Sequence, residues 1–226
     1  FAWMAQKTLE SNLIKLFKNA IKETGIRDVA WSGGVASNVK ANLRIKNLKE
    51  LKKWFVFPHM GDGGLALGAA LYINLKLNGE KRYKFDNIYF GSDYNDEEIK
   101  QAFKKYSLKY EENDAVEKYA ADLISKENIV LWFQGRMEYG PRALGNRSIL
   151  APAFSEKLKD KLNMQIKKRE WFQPFCPSLL REEAKRLFKD IKQYDKFMVM
   201  GYNTKENIRH KLKSVINVDG SARPQM

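Results

Sequence analysis

The chain of 226 residues carries 41 Lys+Arg against 27 Asp+Glu, a formal net charge of +14, with 44% hydrophobic residues, 12% aromatic residues and a single cysteine. Apolar content at this level supports a buried core and excludes a chain held disordered by low hydrophobicity and high charge. The longest apolar stretch, residues 65–73, is less than half of the ~20 residues a membrane-spanning helix needs, and Cys176 alone excludes an internal disulfide or a Cys-only metal site. No signal-peptide pattern opens the chain, so a reducing cytoplasm is the expected location.

In chain order, Leu9, Leu13, Phe17 and Ile21 recur every fourth residue with Leu16 and Ala20 beside them, which predicts an amphipathic helix over 4–23, ended by Gly25. A short apolar strand is expected over 28–31, then a sharp Ser32-Gly33-Gly34 turn and a helix over 36–48. A second strand over 54–57 leads through Gly61-Asp62-Gly63-Gly64 into a helix over 65–77, whose Gly68, Ala69 and Ala70 permit close packing on a neighbour. Strand, glycine turn and helix thus occur twice, the pattern of an α/β nucleotide-binding unit. Residues 77–96 are polar and turn-rich, which places a domain boundary there. Beyond it, helices are expected over 96–105, 114–125, 155–166 and 181–188, strands over 129–133 and 197–202, and long loops over 134–146 and 171–177, with 215–218 running into Asp219-Gly220.

Five stretches bear chemistry. Gly33-Gly34-Val35-Ala36-Ser37-Asn38, between strand and helix, either lets a phosphate approach the backbone or is a purely structural turn. Asp62 at the second such junction either holds a divalent metal, a ribose or a water, or caps the following helix; His59 nearby does not complete a metal site. The run Gly135 to Ser148 holds Arg136, Arg142 and Arg147 among glycines and a proline, which forbid a solvated helix. Guanidinium groups framed in this way match phosphate or carboxylate oxygens, with an interdomain salt-bridge hub as the other reading. Lys167 and Arg169, followed by Trp171, Phe172 and Phe175, are expected to converge on the same anion beside an aromatic wall, with Lys168 facing water. Asp219-Gly220-Ser221-Ala222-Arg223 adds a hydroxyl and a guanidinium after a strand.

Taken in order, these runs, together with Pro58-His59-Met60-Gly61-Asp62-Gly63-Gly64-Leu65-Ala66-Leu67-Gly68-Ala69-Ala70 and the Lys167 to Pro177 segment, closely resemble the NodU/CmcH/TobZ family of O-carbamoyltransferases. The resemblance implies an α/β chain in which residues 1–85 end an actin-like (ASKHA) lobe and 86–226 form most of a YrdC-like α/β domain. It implies that carbamoyl phosphate and ATP meet in the YrdC-like domain. There Arg142, Lys167, Arg169 and Ser221 would grip phosphoryl and carbamoyl oxygens, with Arg136, Arg147 and Arg223 as further candidates. Carbamoyl adenylate would form with loss of pyrophosphate and pass to the actin-like lobe. In that lobe Gly33, Gly34 and Asn38 would serve the nucleotide and Asp62 would supply one ligand to a divalent metal, iron or magnesium, while the hydroxyl of a small-molecule acceptor attacks. Family members begin with a longer lobe carrying two metal-binding histidines and continue past the position of Arg223. The expectation is therefore a fragment with an incomplete metal site that does not turn over alone.

An RNA-binding module, suggested by the charge of +14, is the competing reading. It is disfavoured because the arginines sit in glycine-framed loops and do not alternate with aromatics along an exposed surface. A sugar-kinase-like ATPase would leave Arg142, Lys167 and Arg223 without a task.

Overall fold

The computed structural model describes residues 1–80 and 83–226; Lys81 and Arg82, within the expected polar linker, lie outside them. The described residues form a mixed α/β chain that divides into two compact units: 1–86 with 176–209 and 215–226, and 87–175 with 210–214.

The first unit opens with helix α1, Ala2–Thr24, which buries Leu13, Phe17 and Ile21 and ends on Gly25 at φ +69°. Leu16 and Ala20 stay exposed. The helix flank that meets α2 is polar: Glu10 is buried and its carboxylate accepts Arg44 Nε at 3.3 Å. Phe17 stands edge-on to Trp31 and Trp54, with centroids 5.0 and 5.1 Å away. Those tryptophans lie on β1 (Asp28–Trp31) and β2 (Lys53–Val56), which pair in parallel, Asp28 opposite Lys53 through Trp31 opposite Val56. Between them runs a 3₁₀ turn, Gly34–Ser37, and helix α2, Val39–Lys46. The helix expected over 36–48 starts late because Asn38 is its N-cap, accepting Ala41 N–H at 2.9 Å.

Helix α3, Gly64–Asn78, forms as expected, but none of its residues is buried, and a Cβ added at Gly68 would meet nothing within 4 Å among the described residues. Gly68 therefore packs against no neighbour among the described residues.

In the second unit, helix α4 (Asp96–Lys105) starts on an Asn95–Glu98 capping box, and α5 (Val116–Ser125) leads to β3, Val130–Phe133. Strand β4, Arg147–Leu150, pairs antiparallel with β3 and was not foreseen; its register joins Phe133 to Arg147, so the strand begins with the last residue of the cationic loop. Helix α6, Glu156–Lys161, continues as a π-helical turn, Leu162–Ile166, where an unbroken α-helix was expected.

Past 175 the chain packs with the first unit over 176–209 and 215–226, while 210–214 belong to the second. Helix α7, Arg181–Leu187, is followed by β5, Tyr202–Asn203, paired antiparallel with β6, Ser221–Ala222. The strand expected over 197–202 shrinks to its last residue and the next. The buried Asp195 carboxylate accepts the N–H groups of Phe197, Val199 and Met200, donors that a ladder would have used. This segment packs on α2, where Asn42 donates to Val199 O at 2.9 Å and Gly201 lies so close that a Cβ would meet Leu43 at 3.0 Å.

Candidate functional site

The candidate residues fall into both units. In the first, Gly33 (φ +100°, ψ 160°) adopts a conformation open only to glycine, and its N–H donates to Met60 O at 2.8 Å. The amide is thus used inside the turn, while a Cβ at either Gly33 or Gly34 would meet nothing within 4 Å. Asn38 is occupied twice, as the α2 cap and in a paired contact with the Gln6 amide, at 2.8 and 3.2 Å. Asp62 is exposed in the turn before α3. Among the described residues no group of three or more His, Cys, Asp or Glu is placed to hold a metal ion. One exposed carboxylate does not fit a metal centre, and no chemical step is assigned to a metal here.

Ser221, expected to grip oxygens, is buried; its Oγ donates to Asp219 at 2.6 Å and accepts from Asn217 Nδ2 at 3.0 Å. Burial raises the Asp219 pKa, but the Ser221 hydroxyl, its N–H and the Lys40 ammonium at 3.1 Å outweigh that and leave it below the ordinary range. The Arg223 guanidinium donates to Cys176 Sγ at 2.8 and 3.1 Å. Both side chains are thus engaged within the first unit.

The second unit holds the cationic loop between β3 and β4. Of its three arginines, two act as backbone staples. Arg136 donates to Gly91 O and Phe90 O at 3.1 and 3.2 Å. Arg147 donates to Gln134 O, Gly135 O and Asn146 O at 2.8–3.1 Å, with its guanidinium 3.5 Å from the Phe133 ring centroid. The salt-bridge-hub reading does not describe these contacts, since both bond carbonyls.

Arg142 is half-buried on the loop segment that these staples frame. That segment closes over Glu138, a buried carboxylate whose Oε1 accepts Leu144, Asn146 and Arg147 N–H at 2.7, 2.8 and 3.1 Å. Burial alone would raise the Glu138 pKa; the backbone N–H bonds prevail and hold it below the ordinary range. Tyr89 Oη donates to Leu144 O at 3.0 Å and Asn146 Nδ2 to Arg136 O at 2.7 Å, so the loop is fixed from several sides.

Lys167, Lys168 and Arg169 follow the π-helical turn. Lys167 is exposed, and Lys168 faces water with φ +47°, reversing the chain. Arg169 lies 4.7 Å from the Phe175 ring centroid and donates through Nε to Asn163 Oδ1 at 2.7 Å. Trp171 and Phe172 meet edge to face at 5.9 Å and are both exposed.

Sequence reasoning passed over Glu138 and Asn163. The signals were present: a lone carboxylate inside a basic Gly/Pro loop, and an asparagine, a poor helix former, at the end of an expected helix.

Residues 1–71 match the family model described as carbamoyltransferase N-terminus, and residues 121–226 the one described as carbamoyltransferase C-terminus. The chain is 39% identical over its whole length to an uncharacterized protein of Methanocaldococcus jannaschii, of which it covers 38%. It is 36% identical to nodulation protein NolNO of Sinorhizobium fredii, over 97% of this chain and 33% of that protein. With nodulation protein NolO of Bradyrhizobium diazoefficiens the identity is 34%, over 97% of this chain and 41% of that protein. The chain thus spans between a third and two-fifths of the length of these curated relatives. The five motifs, both family models and these likenesses along nearly all of its residues agree: the chain belongs to the carbamoyltransferase family that includes the nodulation proteins.

Proposed function

We propose that the second unit carries the carbamoyl-donor site of an ATP-dependent O-carbamoyltransferase. The observation that carries this reading is the β3–β4 loop, whose backbone is fixed by buried Glu138 and by the Arg136 and Arg147 staples. Such a frame holds Arg142 in one place, as a group that must meet phosphoryl oxygens without reorganising requires. Arg142, Lys167 and Arg169 are assigned to the donor's phosphoryl and carbamoyl oxygens.

The chemistry explains why cations are needed. A carbamoyl group is a poor electrophile until it carries a good leaving group. On this reading water releases the phosphate from carbamoyl phosphate, and an oxygen of the resulting carbamate attacks the α-phosphorus of ATP as pyrophosphate departs. The carbamoyl group then passes to an acceptor hydroxyl with release of AMP. At each stage negative charge shifts among phosphoryl oxygens, and preorganised Arg and Lys stabilise it. The reading also takes residues 1–85 as part of an actin-like lobe and 86–226 as most of a YrdC-like domain.

Calorimetric titration of the chain with carbamoyl phosphate in moderate salt tests it. Saturable binding that Arg142→Ala weakens about tenfold or more is the expected result, in line with loss of a charge-assisted hydrogen bond. A folded chain that does not bind carbamoyl phosphate overturns the assignment of the donor site to these residues.

A further inference from the structure

Asn163 is completely buried on the π-helical turn Leu162–Ile166, yet its side-chain hydrogen bonds all point forward in the chain. Its Nδ2 donates to Trp171 O at 3.0 Å and to Gln173 O at 2.8 Å. Its Oδ1 accepts Arg169 Nε–H at 2.7 Å, and its backbone oxygen accepts Arg169 N–H at 2.9 Å. The amide cannot be turned over, because two carbonyls face its nitrogen and a guanidinium its oxygen. One side chain thus fixes both the backbone of the 171–173 turn and the plane of the Arg169 guanidinium, with the Phe175 ring 4.7 Å from that plane's centre.

The local backbone is arranged to bring this about. The π-helical turn places Lys167 N–H on Leu162 O at 2.8 Å, and Lys168 takes a positive φ that a lysine rarely adopts. Together they turn the chain so that Arg169 returns over Asn163, six residues earlier. An α-helix continued through 166 would send Arg169 onward along the helix axis instead. Strain of this kind persists where the surrounding contacts over-determine it.

We propose that Asn163 is the positioning residue for Arg169, holding the guanidinium in the orientation in which it meets the phosphoryl oxygens of the carbamoyl donor. The proposal rests on the donor-site reading above and adds to it a residue that does not touch the donor.

A double-variant cycle tests it, with carbamoyl phosphate titrated calorimetrically into the chain and the Arg169 Nε–H resonance followed by NMR. Asn163→Ala is expected to weaken binding about tenfold and to release the Arg169 Nε–H from its ordered state. In the Arg169→Ala background the same change is expected to weaken binding less than about twofold, because contacting residues couple. Equal losses in both backgrounds, or an unchanged Arg169 resonance, overturn the proposal and leave the donor site standing. If Arg169→Ala itself does not weaken binding, the assignment of Arg169 to the donor fails, and the proposal with it. Should Asn163→Ala not fold, Asn163→Asp keeps the acceptor for Arg169 while a carboxylate oxygen replaces the two donors to the turn. Affinity within about threefold of wild type then supports positioning, and a loss of tenfold or more overturns it.

Discussion

Glu138 Oε1 and the backbone N–H of Leu144 meet at 2.7 Å across the neck of the Arg142 loop, and the same oxygen also holds the N–H groups of Asn146 and Arg147. A single buried oxygen accepting three amides closes a loop whose glycines would otherwise leave it free to wander.

Glu138→Gln keeps the shape but removes the charge, and is expected to destabilise the protein by about 1–3 kcal/mol at pH 7. The folded pKa lies below the ordinary value of 4.5. Its contribution is therefore present in full above about pH 4.5 and lost as pH falls through the lower folded value. Urea midpoints of both proteins should differ at pH 7 and converge on acidification. A difference that stays constant down to the acid limit would contradict this account.

Arg147 and Lys167 should separate structure from binding. Arg147 donates to four carbonyls and stacks on Phe133, so Arg147→Ala is expected to cost about 1–3 kcal/mol. Lys167 is exposed, and Lys167→Ala should stay within about 0.5 kcal/mol of wild type while weakening carbamoyl phosphate. Thermal melts beside titrations reveal whether the two effects divide in this way.

Lys46 sets a pH dependence of the first unit. Its ammonium is buried 3.0 Å from the Tyr202 ring centroid, with no hydrogen-bond partner for Nζ among the described residues. Burial lowers its pKa to about 7, opposed in part by Asp195 and Asp190. Burial likewise raises Asp195 to about 6. Between pH 7 and about 10.5 the unfolded chain binds the extra proton, so stability rises with pH there. Between about 3.8 and 6 the folded Asp195 binds it, so stability falls as pH rises. Lys46→Met should abolish the alkaline gain, a matter of a few kcal/mol, in urea midpoints compared at pH 7 and 9.5. Parallel curves for the two proteins would show that Lys46 does not titrate in this range.

Lys168 at φ +47° offers a stabilising change. Lys168→Gly relieves the left-handed penalty of about 1–2 kcal/mol but adds chain entropy to the unfolded state. The expected net gain is about 0.5–1 kcal/mol, read as a higher urea midpoint. A lower midpoint would mean that the lysine side chain itself supports the turn.

By itself the sequence determined what depends on local signals. The four-residue spacing of Leu13, Phe17 and Ile21 wrote α1, Gly25 ended it, and the two glycine junctions marked the β1–α2–β2 unit. The clustered arginines likewise announced a cationic loop, since glycine and proline leave no helix for them to solvate. Tertiary structure alone decided which of those arginines are held by carbonyls, because a guanidinium's partners are fixed by chain segments distant in sequence, such as Gly91 for Arg136. It also decided where the chain goes after residue 175. Asp195 withdrew three N–H groups from the expected strand, and α2 accepted the resulting loop at Gly201 through contacts that span some 160 residues and leave no local pattern to read. Buried polar residues such as Glu138 and Asn163 belong to the same class: their composition looks like surface, and only the backbone groups folded around them reveal what they hold.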